Sequence, residues 1–103
     1  MKNLLDVTQV IRSKNAGPFE LTFDIIFKKY SEYTYVKEKK VITKNIIKSL
    51  YKIPVKDVLD IIYFDQAKAI KITIKRPLAS GAIGEKDIYG AQQHAPLLHI
   101  YYE

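Results

Sequence analysis

An α+β fold is the class this sequence predicts. Apolar and polar residues alternate over "ELTFDIIF" and "AIKITIKRP", which marks two strands. Between them the period becomes helical: Ile46, Ile47, Leu50 and Tyr51 share one face, and Lys44, Lys48 and Lys52 share the other. With 103 residues, spanning 1–103, the chain is expected to be a single domain. Such a chain buries about two-thirds of its unfolded surface without staples. Its composition, 48% hydrophobic and 27% charged, is that of a globular domain rather than a disordered one.

The elements follow in order. Residues 5–12 read as a short strand, with Val7 and Ile11 on one side and Val10 on the other. "SKNAGP" then collects turn formers: Gly17 accepts a positive φ, Asn15 tolerates one, and Pro18 offers no N–H to a ladder. In "ELTFDIIF", Leu21, Phe23, Ile25 and Phe27 fall on one face, so strand is preferred to a helix begun at Pro18. Ser31 is placed to cap a first helix through "EYTYVKEK" and Thr43 a second through "KNIIKSLYK". Ile42 and Ile47 are spaced for a hydrophobic staple at that second start.

"DVLDIIYFD" is almost continuously apolar and reads as a central strand. "DQAK" is too short for a crossover, so this strand and "AIKITIKRP" form an antiparallel hairpin. "PLASGAIGEKD" is a loop, "IYGAQQH" one or two helical turns, and "PLLHIYYE" a last strand. From the second strand on, the order is βαββαβ. The expected architecture is therefore a ferredoxin-like core with an extra N-terminal strand.

Composition limits the chemistry. The chain has no cysteine, which removes disulfides, thiolate nucleophiles and Cys-ligated metals. His94 and His99 are the only histidines, and a separation of five with Pro96 between them makes a poor metal pair. No metal and no cofactor are expected. No stretch reaches the ~18–20 apolar residues that span a bilayer, and the start lacks the apolar core of a signal peptide. No membrane partner is expected, and the location expected is the cytoplasm. The net charge of +6 resides between Lys28 and Lys56, where nine lysines face two glutamates. That run is either a solvated helical surface or a site for a polyanion.

Two segments hold the candidate site residues. In "RSKNAGP", Arg12 and Lys14 supply charge, and the backbone around Asn15 to Gly17 could form an anion nest for a carboxylate or phosphate. The alternative is a tight connection between strands. In "YGAQQHAP", Gln92, Gln93 and His94 sit among small residues after a glycine-containing loop. His94 titrates near neutrality and could act as a general base. The alternative is that it and the amides cap a short helix. Ser80 lacks a G-x-S-x-G context. The eight tyrosines do not follow the aromatic spacing of an RNP1 strand.

Taken together, "VIRSKNAGPFELTFDIIF" and "AIKITIKRPLASGAIGEKDIYGAQQHAPLL" resemble a family of short bacterial and archaeal proteins of unknown function. That family is allied to the ferredoxin-fold domain at the C-terminal end of acyclic terpene utilisation (AtuA-like) proteins. The resemblance runs from Leu5 to Leu98. It implies a small accessory subunit of a two-component cytoplasmic enzyme, with a larger AtuA-like protein as partner and an anionic carboxylic-acid or acyl substrate. Hydration or dehydration of an unsaturated acid is the chemistry it points towards. The family pattern falls on Arg12, Ser13, Lys14, Asn15, Ala16, Gly17 and Pro18, and on Tyr89, Gly90, Ala91, Gln92, Gln93, His94, Ala95 and Pro96. On this reading Arg12, Ser13, Lys14, Asn15, Gly17, Tyr89, Gln92 and Gln93 bind substrate or partner, and His94 is the catalytic candidate.

This chain departs from the family mainly in its basic 28–56 segment. That departure counts against nucleic acid as the partner, and an RNA- or polyanion-binding module remains the alternative. Self-association through an exposed sheet is a third expectation.

Overall fold

A computed structural model describes residues 2–17, 19–75 and 95–102. A two-residue strand β1 (Lys2–Asn3) leads into one helical turn α1 (Leu4–Val7), then β2 (Thr8–Gly17) and β3 (Glu20–Phe27). Helices α2 (Tyr30–Glu38) and α3 (Lys44–Tyr51) follow, then β4 (Val58–Phe64), β5 (Ala69–Lys75) and a short β6 (Tyr101–Tyr102). The molecule is α+β, with antiparallel sheets. The strand order is β2-β3-β5-β4 in the four-stranded sheet and β1-β6 in the two-stranded one.

The alternating strands set the layers. Leu21, Phe23 and Ile25 of β3 stand opposite Ile74, Ile72 and Ile70 of β5, and these six and Phe27 are all buried on one face. Both helices pack there, contributing Tyr33, Val36 and Ile47 to the same core as Ile42 from the loop between them. Helix α3 begins as its sequence requires: the Thr43 hydroxyl oxygen accepts from the Ile46 N–H at 3.2 Å, and Ile42 and Ile47 are both buried. It ends with Lys52 in the left-handed region (φ 55°), its N–H bonded to the Lys48 carbonyl.

The β4–β5 hairpin forms as expected, through a 3-10 turn at Asp65–Ala67 closed by Lys68 at φ 52°. Because β5 inserts between β3 and β4, the unit from β3 to β5 is a split β-α-β. The place beside β3 that a ferredoxin-like order gives to the last strand is held by β2.

Four expectations change. The first strand starts later, because Asn3 caps a helical turn at Leu4–Val7 by accepting from the Leu5 N–H. Helix α2 starts at Tyr30, with Lys29 and not Ser31 at its N-cap. Among the described residues the apolar strand β4 is an edge rather than a centre, and its outward residues Ile62 and Phe64 are exposed. "PLLHIYYE" is mostly a 3-10 turn, Ala95–His99, and only Tyr101–Tyr102 pair, with Lys2–Asn3. The Asn3 amide donates to the Leu98 and Ile100 carbonyls, and the Leu4 N–H reaches the Ile100 carbonyl as well, at 3.4 Å. The predicted "PLASGAIGEKD" loop and "IYGAQQH" turns lie outside the described residues.

Candidate partner-binding face

Strand periodicity decides where each residue of "RSKNAGP" stands. Ile11, Ser13 and Asn15 pair with Ile25, Phe23 and Leu21 and so face the helices; Ser13 is buried. Arg12 and Lys14 pair with Asp24 and Thr22 and project from the face opposite α2 and α3, which carries no helix among the described residues; both are exposed there. The Arg12 Nε donates to the Asp24 Oδ2 at 3.2 Å. On that face three rows cross the sheet. They are Lys14–Thr22–Thr73–Asp60, Arg12–Asp24–Lys71–Ile62, and Val10–Ile26–Ala69–Phe64. The central Thr22 and Thr73 are buried, and the row ends are polar or charged except for the apolar Ile62, Val10 and Phe64.

The expected anion nest is therefore replaced by strand. The chain is extended through Gly17 and laddered to β3, with one register irregularity between Asn15 and Gly17. A nest needs successive N–H groups converging on one point, whereas strand N–H groups alternate in direction. Gly17 has no positive φ, and among the described residues a Cβ there would meet no atom within 4 Å.

Pro18, Tyr89, Gln92, Gln93 and His94 lie outside the described residues. The second signature re-enters at Ala95–His99, where Leu97 is fully buried in the core on the helix side. That is the layer Ser13 and Asn15 face, not the one bearing Arg12 and Lys14.

Two polar clusters were not visible from sequence. In the first, Glu32 of α2 accepts from Lys2 Nζ at 2.8 Å and from the Tyr102 hydroxyl at 3.2 Å. The Lys2 hydrogen bond holds the Glu32 carboxyl below its ordinary range, and burial, with Glu32 beside it, pushes Tyr102 up to about 12. A surface cleft of about 260 Å³ lies here, lined by Lys2, Ser31, Glu32, Tyr35 and Tyr102. In the second, Asp65 Oδ1 accepts from the Tyr33 hydroxyl and from Lys37 Nζ, the latter at 2.9 Å. The Tyr33 hydrogen bond, then Lys37, lowers the Asp65 carboxyl.

Both clusters tie distant segments together, α2 to the terminal strands and α2 to the β4–β5 turn. Each carboxylate is already satisfied by its partners, so neither offers a free base. Among the described residues no three of His, Asp and Glu are grouped to hold a metal. No helix among them is long and apolar enough to cross a membrane.

These carboxylates give the fold an acid limit. Their folded pKa values lie below the unfolded ones, so their contribution is present above the ordinary carboxylate range and is lost as pH falls through the folded values. The melting temperature should fall below about pH 4, and Glu32→Gln should make that fall shallower. An unchanged slope in Glu32→Gln would count against the Lys2–Glu32–Tyr102 tie.

A family model for a domain of unknown function, DUF4387, matches residues 4–101. The chain belongs to this family. The DUF4387 match spans both signature segments and the whole of the four-stranded sheet. No curated protein and no solved structure matches the chain.

Proposed function

We propose that this DUF4387 domain is a small accessory subunit of a two-component cytoplasmic enzyme, docking on a larger AtuA-like protein through the face of its sheet opposite α2 and α3. The observation that carries the reading is the exposure of Arg12 and Lys14 on that face, on a strand whose alternate residues serve the core. A signature built only for folding has no need of cations there. Asp24, Lys71 and the exposed Ile62 and Phe64 extend the surface with the mixture of charge and apolar area that interfaces use. In this reading the fold is a variant of the ferredoxin-like domain of AtuA-like proteins. The substrate is a carboxylic acid or acyl group, held at the subunit boundary by Arg12 or Lys14. Gln92, Gln93 and His94 orient it or move a proton in a hydro-lyase type of step.

The test is co-expression with the larger protein and capture through a tag on it. Wild type should be retained. Arg12→Glu combined with Lys71→Glu should lose capture by at least about tenfold, the effect expected when charge complementarity is reversed. Lys48→Glu on α3 should be captured normally. Failure of wild type to be retained would overturn the proposal.

One observation favours a second reading. Lys44, Lys48 and Lys52 are exposed, and among the described residues none has a carboxylate partner. A polyanion site on α3 would show RNA binding that weakens steeply with salt and disappears when these three lysines are replaced.

A further inference from the structure

We propose that the exposed face of α3 is a track for the phosphate backbone of single-stranded RNA, bound without regard to base sequence. The inference deepens the polyanion reading of α3 and rests on it. It is independent of docking through the sheet.

Charge is concentrated here. Between Lys39 and Lys56 the chain has six lysines and no Asp or Glu. The whole chain carries +6, so its remaining basic residues and its 11 acids balance. Lys44, Lys48 and Lys52 form one column along α3 and its C-cap, with Asn45 and Ser49 beside them, and all five are exposed. The opposite side of the helix is core: Ile47 is buried, and Ile46, Leu50 and Tyr51 pack against the same cluster. None of the three ammonium groups has an ion pair among the described residues.

The column works against its own helix. Lys44 opens α3, and no acid stands in the first turn. A cation there opposes the helix dipole, which favours anions at that end. Lysines four residues apart also repel one another. Glutamate at 44 or 48 would keep α3 soluble and stabilise it as well. Local preferences set aside together on one face are the mark of a surface shaped by binding.

The chemistry of the face selects the partner. Successive lysines of the column stand about 6 Å apart along the axis. A single strand is free to extend until one phosphate meets each. Protein interfaces are enriched in aromatic residues, Met and Arg and depleted in Lys, the reverse of this face. An interfacial membrane helix buries its apolar side in lipid, whereas that side of α3 is spent on the core. The one ring of α3, Tyr51, turns inward to lie 5.0 Å from Phe23. Lysine is a point charge with no fixed fork to read a base edge. Contact is therefore with phosphate, which positions a strand and carries no sequence information.

The test is fluorescence anisotropy of labelled oligo-U and oligo-C RNA with the full chain across a salt series. The two RNAs should bind alike. The logarithm of the binding constant should fall with the logarithm of salt at a slope of about −2, from three phosphates at about 0.7 each. Lys48→Gln should make that slope shallower by about 0.7, and replacing all three lysines by Gln should abolish binding. Lys48→Glu should bind more weakly than Lys48→Gln and yet melt above wild type, because Glu at 48 is spaced to pair with Lys44 and Lys52. That opposition separates a binding role from a structural one, and a Lys48→Glu variant that binds like wild type would overturn the proposal. A preference above about tenfold for one RNA would overturn the sequence-blind track and leave a polyanion site on α3 standing. So would tighter binding to phosphatidylserine vesicles than to either RNA. No RNA binding, or a slope unchanged in Lys48→Gln, would overturn the track and the polyanion reading together.

Discussion

Phe23→Ala will cost about 3–5 kcal/mol of folding stability, the range for removing a fully buried aromatic side chain. Phe23 occupies the middle of β3 with no exposed surface, between Ser13 on β2 and Ile72 on β5. Its ring lies 5.0 Å from that of Tyr51 on α3, tilted by 35°. It therefore joins the central row of the sheet to the helix layer. Alanine would leave a void between two regular elements that cannot close on it without breaking register. Domains of this size are stable by only about 5–15 kcal/mol, so the loss is a large fraction of the whole. In urea the midpoint should fall with an unchanged slope, and Phe23→Leu should lose less. A loss below about 1 kcal/mol would place Phe23 outside the core and contradict the packing described.

Tyr33→Ala should cost a similar amount, about 3–5 kcal/mol, for a different combination of reasons. Tyr33 is 1% exposed, and its ring meets those of Tyr30, Phe27 and Tyr63 at 5.7, 6.0 and 6.5 Å. It thereby fastens α2 to the ends of β3 and β4. Its hydroxyl donates to Asp65, and burial, with Asp65 beside it, holds the phenol above its ordinary pKa. Tyr33→Phe keeps the ring contacts and removes only the donor. It should cost about 1 kcal/mol, because Asp65 keeps Lys37 and stands partly in solvent. The difference between the two variants separates the packing contribution from the polar one. Equal losses would mean that the Asp65 hydrogen bond, rather than the ring, holds α2 in place.

The parts of this fold visible in the sequence are those where local pattern and tertiary role coincide. Strands β3 and β5 alternate because one face is core and the other is not. Helix α3 carries both its Thr43 cap and its apolar face within ten residues. The position of β4 was hidden because an apolar run such as "VLDIIYF" normally implies burial on both faces, and here Ile62 and Phe64 lie on an open one. The short α1 turn was hidden because its cap, Asn3, is also the residue that binds the returning chain at Leu98 and Ile100.

The same division applies to the candidate site. Arg12 and Lys14 were identifiable as charged members of a signature, yet their common face appears only once 8–17 is known to be strand. Reading "RSKNAGP" as a turn began the connection too early: strand runs through Gly17 and β3 resumes at Glu20, so only the end of the segment lies at the hairpin connection. The Glu32 and Asp65 clusters join residues about 30 or more positions apart, and no local pattern reports such pairs.

Lysine acetylation footprinting of this chain, alone and mixed with a larger AtuA-like protein, tests the proposed docking most directly. Lys71 and Lys75 lie on the sheet face opposite α2 and α3, and Lys44 and Lys48 lie on α3. Docking through the sheet predicts that Lys71 and Lys75 lose reactivity in the complex while Lys44 and Lys48 keep theirs. Protection of Lys44 and Lys48 with Lys71 and Lys75 unchanged would contradict it.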